Sequence, residues 1–233
     1  MRRYLLVDDN LAFAENLAEI LRDQGNQADV AGNGAAALEL ARATRYDAMV
    51  TDMRMPAMGG AALVHEIRRA DPGLPALVVT AYTGEDDLQA ARHDGLLAVL
   101  PKPPPIPRLL ELLRLARRDG LVALVEDDPA LCDNLAEALR DRGFSAVEAH
   151  SAADAARLGD VKPFLALVDL RLPGAADGEA FRRLRHAFPS LPLLVISGYA
   201  GGATEIDGVP VFSKPFDTQK LLDAVSSISG GPR

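Results

Sequence analysis

The sequence is poor in cysteine, in lysine and in positive charge. Its single cysteine, Cys132, excludes a disulfide framework and any cysteine-built zinc site, and it fits a reducing compartment. A formal net charge of -8 argues against a chain that works on nucleic acid, because neutralising phosphates needs a basic face. No apolar run approaches the roughly 20 residues of a membrane-spanning helix. The opening MRRYLLVDDN has no long apolar stretch before its acids, so no secretory signal is expected and a cytoplasmic location is. What is present is ordinary for a globular protein: 48% hydrophobic and 25% charged residues over 233 positions, enough for one large domain or two small ones.

The chain repeats itself. YLLVDDNLAFAENLAEILRDQG, from Tyr4, returns as VALVEDDPALCDNLAEALRDRG, from Val122, 118 residues later. Asp52 in AMVTDMRMP pairs with Asp169 in LALVDLRLP, and Thr80 in LVVTAY pairs with Ser197 in LVISGY, both at 117. Lys102 in LPKPP pairs with Lys214 in FSKPF at 112, so five residues are lost late in the second copy. A period this long marks a duplicated domain, not a solenoid. The expected division is 1–119 and 120–233. A helix is expected over Arg108–Arg118, and only Asp119 and Gly120 would separate it from the next strand.

Each copy alternates short apolar runs with longer amphipathic stretches, the pattern of βα units on a parallel sheet, so the fold class is α/β. In the first copy strands are expected at Tyr4–Val7, Gln27–Ala31, Asp47–Thr51, Ala76–Thr80 and Leu96–Leu100. Leu11, Ala14, Leu17, Ala18 and Leu21 form one helical stripe, closed by Gly25, with Gly143 in the same place in copy two. Asn10 and Asp128 stand where N-caps belong, the latter ahead of Pro129.

Ligands of open parallel sheets bind beyond the carboxyl ends of the strands. In copy one those ends carry Asp8 and Asp9, Asp52, Thr80 and Lys102. Carboxylates gathered on one edge repel each other unless a cation compensates, and Mg²⁺ takes one or two carboxylates plus waters and phosphate oxygens. The cluster is therefore suited to phosphoryl chemistry. The chain has four lysines, Lys102, Lys162, Lys214 and Lys220, and two of them fall at the matching position of each copy.

With these residues each copy resembles a receiver domain of two-component response regulators, over nearly the whole chain. The resemblance implies two tandem flavodoxin-like, doubly wound (βα)5 domains with parallel five-stranded sheets in the order 2-1-3-4-5. It implies that Asp52 and Asp169 accept a phosphoryl group from a sensor histidine kinase or a histidine phosphotransfer protein. Mg²⁺ would be held by Asp8, Asp9, Asp52 and the Arg54 carbonyl in copy one, and by Glu126, Asp127, Asp169 and the Arg171 carbonyl in copy two. Thr80, Lys102, Ser197 and Lys214 would contact the phosphoryl group, with Ala81 and Gly198 leaving it room. Arg54, Tyr82, Arg171 and Tyr199 occupy the positions that tune dephosphorylation in the family, and their bulk predicts slow loss of the phosphoryl group. Pro56 and Pro173, four residues beyond each acceptor, match the family as well.

Departures from the pattern are specific. The aromatic residue usual three positions before the lysine is replaced by Val99 and Val211, which puts the usual aromatic coupling in doubt. GGATEIDG is too rich in glycine for a full fourth helix, so that helix is expected to be shortened in copy two. Copy one keeps its face from fourth to fifth helix, where regulated binding of a downstream protein or a homodimer is expected. After a last helix at Thr218–Ser227 only SGGPR remains, so no effector domain is expected and the chain is not itself read as an enzyme.

Other features have structural readings. Asp128 is a cap and not a ligand. HEIRRADP at His65 is not a kinase phosphoacceptor box, because it lies inside a receiver repeat. His93, His150 and His186 lack metal-ligand spacing and are read as surface residues. Leu109–Leu115 pack the last helix of copy one, Arg108, Arg114, Arg117 and Arg118 form a solvated face, and Cys132 is half-buried. The competing classes are a receiver-fold scaffold that is never phosphorylated, and a haloacid-type phosphatase, whose DxD-type nucleophile neither copy offers.

Overall fold

The computed structural model describes residues 1–81, 94–198 and 204–229. The first domain runs β1 (Arg3–Val7), α1 (Leu11–Asp23), β2 (Gln27–Ala31), α2 (Gly34–Ala43), β3 (Ala48–Thr51), α3 (Gly60–Ala70), β4 (Ala76–Thr80), β5 (Ala98–Pro101) and α4 (Ile106–Leu115). Its five strands are parallel in the order β2-β1-β3-β4-β5. Helices cover both faces of this sheet, so its inner strands β1, β3 and β4 read as nearly unbroken hydrophobic runs. Tyr4 and Leu6 meet α1 and α4 through Leu17, Leu21, Leu109 and Leu112; Leu5 and Val7 meet α2 and α3 through Leu38, Leu63 and Ile67. Residues 82–93, where the fourth helix of the family pattern would fall, lie outside the described residues.

The second domain repeats the plan with β6 (Leu121–Val125), α5 (Pro129–Arg140), β7 (Ser145–Ala149), α6 (Ala152–Ala155), a 3₁₀ turn (Ala156–Asp160), β8 (Leu165–Asp169), α7 (Glu179–Ala187), β9 (Leu193–Ser197), β10 (Glu205–Ile206), β11 (Val209–Ser213) and α8 (Thr218–Ser229). Its sheet has six strands, β10-β11-β9-β8-β6-β7. Five are parallel; β10 is added antiparallel through a hairpin whose turn is Asp207-Gly208, both with positive φ. An Asp-Gly pair suits a tight hairpin. Among the described residues the Gly-rich segment therefore gives a strand where the first copy has sequence for a helix; residues 199–203 lie outside them.

The caps stand where expected. Asn10 accepts from the Phe13 N–H, and Asp128 accepts from those of Ala130 and Leu131 ahead of Pro129. Leu11 departs from its stripe: it is 54% exposed, because it occupies the first turn, beyond the sheet edge. Asp47 precedes β3, its carboxylate accepting from the Arg3 N–H. The helix expected over Arg108–Arg118 ends at Leu115, since the Arg117 N–H turns to the Gly143 carbonyl (2.8 Å) and the Asp119 N–H to the Gly73 carbonyl (2.8 Å). Nor are all its arginines solvated. Arg118 binds both oxygens of Asp71 at 2.6 Å and the Tyr46 carbonyl, with 14% of its side chain exposed. Cys132 is fully buried, not half-buried.

Candidate functional site at the strand ends

In both domains the polar strand ends converge. The ladder continues one residue past the strands: the Asp8 N–H donates to the Ala31 carbonyl, that of Asp52 to Val7 (2.9 Å) and that of Lys102 to Thr80 (3.0 Å). These bonds fix the three chain segments, and the side chains of Asp8, Asp52 and Lys102 meet across the edge. Lys102 Nζ lies 2.6 Å from Asp8 Oδ2 and 2.7 Å from Asp52 Oδ2. Asp8, Asp52 and Thr80 are buried, while Asp9 is exposed. One oxygen from each of Asp8, Asp9 and Asp52 falls within 4.8 Å of the others.

The second domain reproduces the arrangement with a glutamate. Lys214 Nζ is 2.6 Å from both Glu126 Oε2 and Asp169 Oδ2, and the Lys214 N–H donates to the Ser197 carbonyl. Glu126, Asp169 and Ser197 are buried, and Asp127 joins Glu126 and Asp169 in a second group of oxygens within 4.8 Å. The Arg171 N–H donates to Asp169 Oδ1 at 3.0 Å. Arg54 and Arg171 are exposed at the rims, Arg171 pairing with Asp177. Tyr82 and Tyr199 lie outside the described residues, as does His93.

Electrostatics follow from burial and pairing. Burial on its own would lower both ammonium groups; hydrogen bonds and the charges of Asp52 and Asp8 outweigh it for Lys102, and those of Asp169 and Glu126 do so for Lys214, leaving both raised. Burial pushes the Glu126 carboxyl up against the pull of Lys214, the charge of Asp169 adds to the rise, and the balance is a raised carboxyl. Both lysines stay charged at neutral pH.

Several supporting contacts are not readable from the sequence. The Asn10 N–H donates to Asp8 Oδ1 (2.9 Å), and Lys102 sits over the Phe13 ring at 5.0 Å. The equivalent of Phe13 in the second domain is Leu131. His150, expected on the surface, is partly buried with Nδ1 3.0 Å from the Glu126 carbonyl oxygen.

The sequence model of the response regulator receiver domain matches twice, over residues 4–114 and 122–226. The chain belongs to the receiver family of response regulators. It is 62% identical over 231 residues to a response regulator receiver protein of an Anaeromyxobacter species, covering 98% of this chain and 95% of that one. It is 31% identical over 216 residues to the response regulator MprA of Mycobacterium ulcerans, covering 89% and 91%. Among solved structures, the receiver domain of a sensor histidine kinase from Pseudomonas aeruginosa, described with a magnesium ion in its active-site cleft, is 28% identical, with a TM-score of 0.45 over 48% of this chain and 94% of that one. Two receivers in tandem therefore account for the repeat, and each brings its own acidic edge.

Proposed function

We propose that both receivers accept a phosphoryl group, on Asp52 and on Asp169, from the phosphohistidine of a sensor kinase or phosphotransfer protein. The observation that carries this reading is the lysine shared by two buried carboxylates at 2.6–2.7 Å, built twice from independent stretches of chain. In the transfer a carboxylate oxygen of the aspartate forms a bond to phosphorus as the phosphorus–nitrogen bond to the donor histidine breaks. The lysine then moves its charge from the carboxylate pair to the new phosphoryl oxygens, and the buried hydroxyl of Thr80 or Ser197 donates to another. The burial of the acceptors excludes bulk water from the acyl phosphate.

The donor set fits Mg²⁺: three carboxylates, all hard oxygen ligands, within reach of one ion. Asp8, Asp9 and Asp52, with the Arg54 carbonyl, would hold it in the first receiver, and Glu126, Asp127 and Asp169, with the Arg171 carbonyl, in the second. When bound it would neutralise charge developing on the phosphoryl oxygens. The new charge of about -1.5 to -2 then biases the binding of a downstream protein. The units divide at about residues 119 and 120, the location is cytoplasmic, and the only chemistry is the receivers' own phosphorylation and dephosphorylation. Among the described residues no helix is long and apolar enough to cross a membrane.

The test is intact mass after incubation with acetyl phosphate and Mg²⁺. Two added phosphoryl groups are expected, one lost in Asp52→Asn and the other in Asp169→Asn. No addition, with the fold intact, would leave the scaffold reading.

A further inference from the structure

The segment leading into the edge strand of the first sheet is tied down on both sides. Four successive carbonyls just before β5 all have partners: Arg68 takes those of Asp94 (2.7 Å) and Gly95 (2.5 Å) from within the first domain, while Leu96 accepts from the Ala146 N–H (3.2 Å) and Leu97 from Arg140 Nε (2.8 Å), both in the second. Leu96 and Ala146 form an isolated antiparallel bridge, so the segment leading into the edge strand β5 meets β7, the edge strand of the other sheet. Arg108, on α4, pairs with Asp141 at 2.9 Å. An exposed sheet edge is a ready template for another strand, and here the second domain pairs with the residues that lead into that edge.

The repeat contains its own control for how close this approach is. Gly25 and Gly143 are the same helix-terminating glycine in the two copies, with φ of +77° and +82°. A Cβ on Gly25 would meet nothing within 4 Å; one on Gly143 would lie 1.9 Å from the Leu115 carbonyl oxygen of the first domain. Both glycines serve the turn, and only Gly143 also serves the seam.

We propose that the second receiver is the built-in partner of the segment that leads into the first receiver's edge strand β5, and that this seam reports the state of the Asp52 site to the second domain. The route is short. Lys102, which holds Asp8 and Asp52, follows directly on β5, whose other end adjoins the two carbonyls held by the second domain. A strand paired along its length with β4 moves as a unit, so a lysine drawn toward a new phosphoryl group alters the hydrogen bonds at Leu96 and Leu97. The same seam shares the β5 side of the face on which a homodimer was expected. This step rests on phosphorylation of Asp52 as proposed above.

Hydrogen exchange of the Ala146 amide, followed by mass spectrometry on the full chain, tests it. Gly143→Ala is expected to speed that exchange at least tenfold while Gly25→Ala leaves it unchanged. Because Gly143 also terminates α5 at positive φ, Asp141→Arg, which repels Arg108 on the exposed side, serves as the second seam variant, with rescue expected in Arg108→Asp/Asp141→Arg. In Asp169→Asn, one phosphoryl group added from acetyl phosphate with Mg²⁺ is expected to change Ala146 exchange several-fold. Unchanged exchange in both seam variants overturns the seam; one added phosphoryl group with unchanged exchange overturns the coupling. No added phosphoryl group overturns the phosphorylation reading and the coupling together, and is recognised from the mass alone.

Discussion

Replacing Lys102 by methionine keeps most of the side-chain volume and removes one charge. Asp8 and Asp52 are then left with oxygens within 4.8 Å of each other on a buried edge. At an effective dielectric constant of about 20, two unit charges at the outer limit of that range repel by about 3.5 kcal/mol, and a loss of folding stability of this order is expected without divalent ions. The same substitution removes a cation that competes for the same oxygens, so Mg²⁺ affinity is expected to rise more than tenfold. Mg²⁺ at a hundred times its dissociation constant should then return about 2.7 kcal/mol. Urea denaturation of wild type and Lys102→Met, in EDTA and across a Mg²⁺ series, measures all three quantities. A variant as stable as wild type in EDTA, or one that binds Mg²⁺ more weakly, would refute the view that the lysine compensates the acidic pair. Lys214→Met repeats the experiment at Glu126 and Asp169 and should move in the same direction.

Other outcomes follow from the same reasoning. Asp128→Ala removes the cap of α5 and should cost about 1 kcal/mol in urea denaturation, with Mg²⁺ affinity unchanged in a fluorescence titration. Arg68 is buried, and burial lowers its guanidinium to about 10, still charged at neutral pH; Arg68→Leu strands the carbonyls of Pro72, Leu74, Asp94 and Gly95 and should cost about 3 kcal/mol by the same assay. Burial, then the hydrogen bond to Asp29, pushes the Tyr46 phenol up to about 12. Its contribution is complete below pH 10, where the unfolded phenol is also neutral, and is lost as pH rises through 12; stability against pH should therefore fall less steeply from pH 10 upward in Tyr46→Phe.

Much of this was legible in the sequence because the repeat printed it twice. Strand ends carrying Asp8, Asp52, Thr80 and Lys102 are a local pattern, and a local pattern seen again at Glu126, Asp169, Ser197 and Lys214 is hard to misread. The caps Asn10 and Asp128 are local too. What escaped was tertiary. The helix expected to reach Arg118 stops at Leu115 because Gly143, nearly thirty residues on in sequence, takes the Arg117 N–H, and no propensity encodes that. Gly143 looked like a cap and is one, but its second duty depends on the neighbouring domain. The β10 hairpin was half visible: the glycines argued against a helix, and Asp207-Gly208 in fact turns a strand back. Nothing in the sequence marks Arg68, and only the fold shows that four carbonyls converge on it.

The most direct measurement of the central claim is to locate the acyl phosphate itself. After incubation with acetyl phosphate and Mg²⁺, borohydride reduces a phosphorylated aspartate to homoserine, and peptide mass spectrometry reads the position. Homoserine at residues 52 and 169, and absent when Lys102 or Lys214 is replaced in the respective domain, is the predicted result. Homoserine at any other aspartate, or at neither position while the protein is folded and Mg²⁺ is bound, would contradict the account.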